Sequence, residues 1–227
     1  MNLLAIDTST KYLCLGMSQG ARVFSYNLEV EKKLSALLTV TIQRALEAAG
    51  LKLEDVDYFA CGLGPGSFTG LRTGVAAIKG LSWALKKDVL GIPSLDIIAR
   101  NAGTTDRPIA VIVDAKRNLL YCGFFKNEDG CLKRIKPYML LSQEEFFKKV
   151  SAGSFILGDG VGLYQEALIR HVRGATLLDK DAWYPKPHHL VALALERFKD
   201  KKLNNTFDIK PIYLYPKECQ IRTVRSS

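Results

Sequence analysis

The sequence predicts a two-lobed α/β protein, and three observations carry that reading. Strand-like and helix-like segments alternate through the first hundred residues. Two blocks, opening near residues 3 and 109, each begin with an apolar strand that ends on aspartate (Asp7, Asp114) and turn into another strand. Between those openings a glycine-dense loop, Gly62-Leu63-Gly64-Pro65-Gly66-Ser67-Phe68-Thr69-Gly70-Leu71-Arg72-Thr73-Gly74, joins a strand to a helix. The shared rhythm reads as a weak internal duplication with a shortened second half.

In order, residues 3–7 form a short apolar strand and Thr8-Ser9-Thr10 a turn. Residues 12–18 and 22–29 are strands joined at Gln19-Gly20 as a hairpin. Leu34, Leu37, Leu38, Ile42, Ala45, Leu46 and Ala49 recur at helical spacing, and Gly50 closes that helix. A strand at 56–61 leads through the glycine loop to a second helix at 69–85. Residues 87–91 return to the sheet, and Ser94 with Asp96 starts a short helix. This first lobe spans 1–104, with 205–227 expected to fold back on it.

The second lobe, 105–204, starts with strands at 109–114 and 119–126. Asn127-Glu128-Asp129-Gly130 is a strong turn into a third strand at 131–138. A helix at 142–150 opens with a capping box, Ser142 and Glu145. A strand at 155–157 runs into Gly158-Asp159-Gly160-Val161-Gly162 and a helix to about residue 171. Such a glycine turn resembles a nucleotide loop, but short strand-to-helix turns commonly look the same. Residues 185–199 are the last helix, followed by an extended, proline-bounded stretch at 210–216.

The 227 residues are 48% hydrophobic and 24% charged, ordinary for a globular protein. A net charge of +9 favours an anionic partner such as RNA or an acidic protein, although a solvated basic surface explains it equally. The basic tail (Lys210, Lys217, Arg222 and Arg225 against Glu218) reads either as a tRNA contact or as a plain chain end. No apolar run reaches the roughly 18–20 residues of a membrane span. The N-terminus reads as a strand, not a signal peptide. Cys14, Cys61, Cys122, Cys131 and Cys219 are scattered without a Cys-x-x-Cys pair. They read as reduced thiols of a cytoplasmic protein, with no disulfide or zinc expected.

A helix that starts after such a loop offers free N–H groups and a positive dipole end. That suits a phosphate, a carboxylate or a partner's backbone. The letters exclude a Walker A loop, since Leu71 and Val75 follow the last glycines where lysine is required. Gly64, Gly66 and Gly70 have the wrong spacing for a dinucleotide fingerprint. Ser67 lacks the flanking glycines of a nucleophile elbow, and no histidine in the first half could activate it. The phosphate-loop candidates are Asp7, Thr8, Ser9, Gly64, Gly66 and Ser67. The competing reading is that the glycines let the second helix approach the sheet and a partner chain closely, and the missing lysine favours it. Asp7 reads either as a magnesium-ordering carboxylate or, preferably, as a turn residue bonding its own backbone.

Residues 3–10 (Leu-Leu-Ala-Ile-Asp-Thr-Ser-Thr), the Gly64–Arg72 string, Gly80-Leu81-Ser82-Trp83-Ala84-Leu85, Val113-Asp114-Ala115-Lys116-Arg117, Gly158-Asp159-Gly160 and Pro211-Ile212-Tyr213-Leu214 together closely resemble the bacterial TsaB (YeaZ) family, end to end. The resemblance implies an actin-like (ASKHA) ATPase fold with a reduced second lobe. It implies a cytoplasmic, non-catalytic dimerisation subunit that works with the catalytic paralogue TsaD and the small P-loop ATPase TsaE. Together these transfer a threonylcarbamoyl group to adenosine 37 of tRNAs reading codons that begin with A. This chain would meet tRNA indirectly, with homodimer or monomer in isolation left open. It would have no cofactor of its own, with ATP or ADP at a shared interface left open.

The resemblance places the partner interface on the first two helices, about 33–49 and 69–85, through Leu34, Leu38, Ile42, Thr69, Arg72, Thr73, Ala76, Lys79, Gly80 and Trp83. The first helix's apolar stripe could equally be internal core. The second helix, with Val75, Ala76, Ile78, Leu81 and Trp83 nearly all round, has apolar surface to spare for a second chain. The catalytic paralogue is expected to carry two metal-binding histidines four apart on a helix. Ser94 and Ile98 stand there in this sequence, and its three histidines, His171, His188 and His189, lie elsewhere. Leu34-Ser35 replaces the family's frequent His-Ser, and Thr39 replaces a proline. The alternative readings are an actin-like enzyme in its own right, a phosphotransferase or a glycopeptidase-like metalloprotease, and a homodimer of unrelated role.

Overall fold

The computed structural model describes residues 1–30, 33–200 and 203–216. Five strands, β1 (Asn2–Asp7), β2 (Tyr12–Gln19), β3 (Arg22–Glu29), β4 (Tyr58–Gly62) and β5 (Val89–Ile92), form the first sheet in the order β3-β2-β1-β4-β5. Strand β1 pairs antiparallel with β2 and parallel with β4. A second sheet takes β6 (Ile109–Lys116), β7 (Leu119–Glu128), β8 (Cys131–Arg134), β10 (Phe155–Leu157) and β11 (Thr176–Leu177) in the order β11-β10-β6-β7-β8, with β9 (Met139–Ser142) also paired to β7. Matching β1 to β6, β2 to β7, β3 to β8, β4 to β10 and β5 to β11 makes the two orders identical. The molecule is therefore a duplicated, actin-like α/β fold.

The helices are α1 (Leu34–Ala48), α2 (Phe68–Leu85), α3 (Ser94–Ala99), α4 (Gln143–Phe147), α5 (Gly160–His171) and α6 (Pro187–Lys199). Strands β1 and β2 are near-continuous apolar runs because both faces of the first sheet are covered. On one face Leu4, Ile6, Leu13, Leu15 and Met17 pack with Leu38 and Ile42 of α1 and with Val75 and Ile78 of α2. On the other, Leu3, Ala5 and Cys14 pack with Leu190, Val191 and Ala194 of α6. Helix α6 thus belongs to the first sheet in space, although the sequence boundary groups it with 105–204. Gly16 makes this contact possible: a Cβ there would lie 2.8 Å from the Pro187 carbonyl oxygen.

In the second lobe Ile112, Leu120, Cys122 and Phe124 pack with Phe146, Val161 and Leu168. The opposite face, with Val111, Val113, Phe125 and Leu157, receives Leu95, Ile98 and Ala99 of α3. Helix α3 also lends Ile97 to the α6 cluster, so it joins the two sheets. The stretch at 131–138 breaks into β8 and, past Pro137, the separate strand β9. Helix α4 is shorter than its expected span but has the expected capping box, with Ser142 Oγ accepting from Glu145 N and the Glu145 carboxylate accepting from Ser142 N. Among the described residues no helix is long and apolar enough to cross a membrane.

Candidate functional site

Strand β1 delivers Asp7 to the centre of the first lobe, where it is fully buried. Its Oδ1 accepts from Ser9 N at 2.8 Å and Ser9 Oγ at 2.6 Å, and its Oδ2 accepts from Ser94 Oγ at 2.5 Å. Ser94 Oγ also accepts from Gly64 N at 2.9 Å, and Ser94 N donates to the Gly64 carbonyl at 2.8 Å. Burial pushes the Asp7 carboxyl above the usual range, while its bonds to Ser9 and Ser94 pull the other way. Both carboxylate oxygens are committed to neighbouring turns. This is the turn-residue geometry, and it ties together β1, the glycine loop and the start of α3.

The glycine loop is shaped by close approach. Ser67 caps α2, its Oγ accepting from Gly70 N at 3.2 Å. Thr8 Oγ1 donates to the Gly70 carbonyl at 2.8 Å, and Ser67 N donates to the Ser9 carbonyl at 2.7 Å. A Cβ at Gly70 would lie 2.1 Å from the Thr8 carbonyl oxygen, and one at Gly74 2.1 Å from Thr8 Oγ1. These glycines seat α2 directly on the turn after β1. The six phosphate-loop candidates are thereby brought together, but Asp7, Thr8 and Gly64 lie buried beneath the surface that Ser9, Gly66 and Ser67 share with the cleft.

That cleft, about 930 Å³, opens between the sheets. Its first-lobe wall includes Ser67 and Lys11, and its second-lobe wall Asp114, Lys116, Arg117 and Asp159. Asp114 Oδ1 accepts from Lys116 N at 2.8 Å and its Oδ2 meets Lys116 Nζ at 2.5 Å. That bond raises the Lys116 ammonium, and burial raises the Asp159 carboxyl. Asp159 Oδ1 accepts from Asp114 N at 2.9 Å, so the second glycine turn serves to brace the first strand of its own sheet.

The candidate partner residues divide by helix. Leu34, Leu38 and Ile42 are only 9%, 3% and 7% exposed and sit in the first core, which corrects their expected place on an outward face. The apolar stripe of α1 is consumed by the sheet beneath it. On α2, Thr69, Arg72, Ala76, Gly80 and Trp83 are exposed and Thr73 and Lys79 half-buried, with Trp83 at 67%. Gly80 has no atom within 4 Å of where a Cβ would stand. Arg72 is held with its guanidinium 3.9 Å over the Phe68 ring while its Nε donates to the Tyr213 hydroxyl at 3.3 Å.

At the expected metal position, Ser94 is committed to Asp7 and Ile98 is buried. Among the described residues no group of three His, Cys, Asp or Glu side chains could hold a metal. His171 stacks on Phe147 at 4.7 Å. His188 and His189 abut at 4.1 Å, and burial lowers His189 to about 4. Sequence reasoning missed Tyr213 and Tyr215, both in the cleft wall; alternating large side chains between Pro211 and Pro216 were the available signal. Lys217, Glu218, Arg222 and Arg225 of the basic tail, with Cys219, lie outside the described residues, as does the rest of 217–227.

The family model described as TsaD, tRNA N6-adenosine threonylcarbamoyltransferase, matches residues 28–156. The tRNA threonylcarbamoyladenosine biosynthesis protein TsaB of Bacillus subtilis is 28% identical over 100% of this chain and 99% of its own. The Escherichia coli TsaB is 24% identical over 94% of each chain. Among solved structures, YeaZ from Pseudomonas aeruginosa matches with a TM-score of 0.82 at 27% identity, over 94% of this chain and 99% of that one. A second Pseudomonas aeruginosa structure, described as an uncharacterized protein similar to peptidase YeaZ, matches with a TM-score of 0.83 at 27% identity and the same coverage. With the TsaD family model covering more than half of its length and TsaB and YeaZ proteins matching it nearly end to end, the chain belongs to the TsaD/TsaB (YeaZ) family.

Proposed function

We propose that this chain is a non-catalytic, partner-binding subunit of tRNA threonylcarbamoyladenosine biosynthesis. It pairs through α2 with TsaD and works with the ATPase TsaE in transferring threonylcarbamoyl to adenosine 37 of tRNAs that read codons beginning with A. The names of its TsaB relatives tie it to this pathway. The observation that carries the pairing is the outward face of α2, where Arg72, Ala76, Gly80 and the 67%-exposed Trp83 follow one another at helical spacing. A tryptophan left in water beside small residues is an anchor shape for a second helix. The commitment of both Asp7 oxygens to Ser9 and Ser94 supports a role without catalysis at that residue, since its carboxyl is taken up by neighbouring turns. Any ATP or ADP belongs to the assembled complex, at an interface this chain shares.

Association tests the pairing. Ala76→Asp is exposed and is expected to fold normally while abolishing co-elution with TsaD in size-exclusion chromatography. Unchanged co-elution of a folded Ala76→Asp chain removes α2 from the interface.

A further inference from the structure

The stretch 203–216 crosses from the first lobe into the cleft. Asn204 exchanges backbone hydrogen bonds with Val89 on the outer edge of β5, and Ile209 is buried in the first core. The chain then touches both lobes within four residues. Ile212 N donates to the Leu63 carbonyl at 2.7 Å, just before α2. The Tyr213 ring tilts against Phe68 at 5.4 Å, and its hydroxyl accepts from Arg72 Nε. The Tyr215 hydroxyl is shared between the carbonyls of Ala115 at 2.9 Å and Lys116 at 3.2 Å, and its ring meets Tyr121 edge-on at 6.2 Å.

The turn that Tyr215 holds is strained. Lys116, Arg117 and Asn118 have φ of 65°, 54° and 58°, three successive left-handed residues without a glycine. Such backbone persists only where its surroundings fix it. Here Asp114 fixes it from within the strand and Tyr215 from the chain segment that crosses the cleft.

We propose that residues 212–215 are a strap coupling the strained turn at 115–118 to the outward face of α2, with Tyr215 as one anchor and the Tyr213–Arg72 pair as the other. With the strap seated, Arg72 keeps its plane on Phe68 and its Nε on Tyr213, so its terminal amino groups are set to receive a carboxylate from a protein partner. Tyr213 is a positioning residue for that contact. Partner binding at α2 favours the seated strap, and by reciprocity anything that unseats Tyr215 weakens binding at α2. The partner half of this inference rests on the role given to α2 above; the coupling within the chain does not.

Tyr213→Phe and Tyr215→Phe keep the rings and delete one hydroxyl each. Amide hydrogen exchange on the full chain reads the strap at Ile212 and the turn at Lys116. Each variant is expected to speed exchange at both amides, by about fivefold for one net hydrogen bond. Faster exchange at Ile212 alone in Tyr213→Phe, with Lys116 unchanged, overturns the coupling. In a second arm, TsaD is titrated onto wild type and Tyr215→Phe, and the variant is expected to bind about fivefold more weakly, although Tyr215 is anchored on the second lobe. Equal affinities overturn the link to α2. If wild type binds no TsaD, the partner reading fails, and the exchange arm alone decides the strap.

Discussion

The two faces of α2 share one helix and opposite fates. Inward, Gly70 and Gly74 stand where a Cβ would meet Thr8 at 2.1 Å, and Val75, Ile78 and Ser82 are buried. Outward, Gly80 faces open space and Trp83 faces water. Glycine inside a helix costs about 1 kcal/mol relative to alanine. Inside the fold, that cost is offset by close approach to the turn after β1. At Gly80 no close approach among the described residues offsets it, and the pairing proposed for the outward face would give it a reason. One helix therefore separates what the fold requires from what it leaves open to solvent.

The contrast can be broken most severely from the inside. Gly70→Ala forces a methyl group against the Thr8 carbonyl and is expected to destabilise the chain by about 3 kcal/mol, read by denaturant unfolding. A neutral Gly70→Ala would mean that the turn yields freely and that α2 is not seated by it. Outside, Trp83→Ala is expected to weaken association by about 2 kcal/mol while moving stability by less than about 0.5 kcal/mol, read by titration calorimetry alongside unfolding. A large stability loss would place Trp83 in the fold instead. Smaller again, Gly80→Ala is expected to stabilise the isolated chain by about 0.5–1 kcal/mol and to weaken pairing, two opposite signs from one methyl group.

Asp7 and Asp114 sharpen the same lesson at matched positions of the two sheets. Asp114 faces the cleft and pairs with Lys116, whereas Asp7 is sealed. Because the folded state raises the Asp7 carboxyl, folding takes up a proton there. Its contribution to stability is fully present below the ordinary carboxylate range and is lost as pH rises through the raised folded value. The Tm difference between wild type and Asp7→Asn is therefore expected to shift against wild type from about pH 4 to about pH 8. A difference that stays flat with pH would show that folding leaves the Asp7 carboxyl at its unfolded value.

Local signals are legible in the sequence. The Gly64–Arg72 string, the Ser142–Glu145 capping box and the 12–29 hairpin all depend on residues close in the chain, and the structure has each where it was expected. Long-range choices were not legible. The apolar stripe with Leu34, Leu38 and Ile42 has the same period whether it meets its own sheet or another protein, and only the fold shows that the sheet takes it. Helix α6 returns to the first sheet through Leu190, Val191 and Ala194, which no local pattern announces. Strand β11 is two residues long and exists through its pairing with β10. The sequence shows Ser94 as a helix start and as the stand-in for a histidine, and gives no sign that its hydroxyl closes the Asp7 network from 87 residues away. Tyr213 and Tyr215 matter through contacts with Arg72 and Ala115, more than a hundred residues earlier for the first and 100 for the second.

If the proposed role is right, threonylcarbamoyl transfer needs this chain as the partner-binding subunit of a complex. Leave-one-out reconstitution tests it most directly: the chain, TsaD, TsaE, threonylcarbamoyl adenylate and tRNA are combined, and modified adenosine is measured by mass. Sustained modification that disappears when only this chain is omitted, and that Ala76→Asp does not restore, is the expected result. Modification that continues unchanged without the chain would contradict the claim.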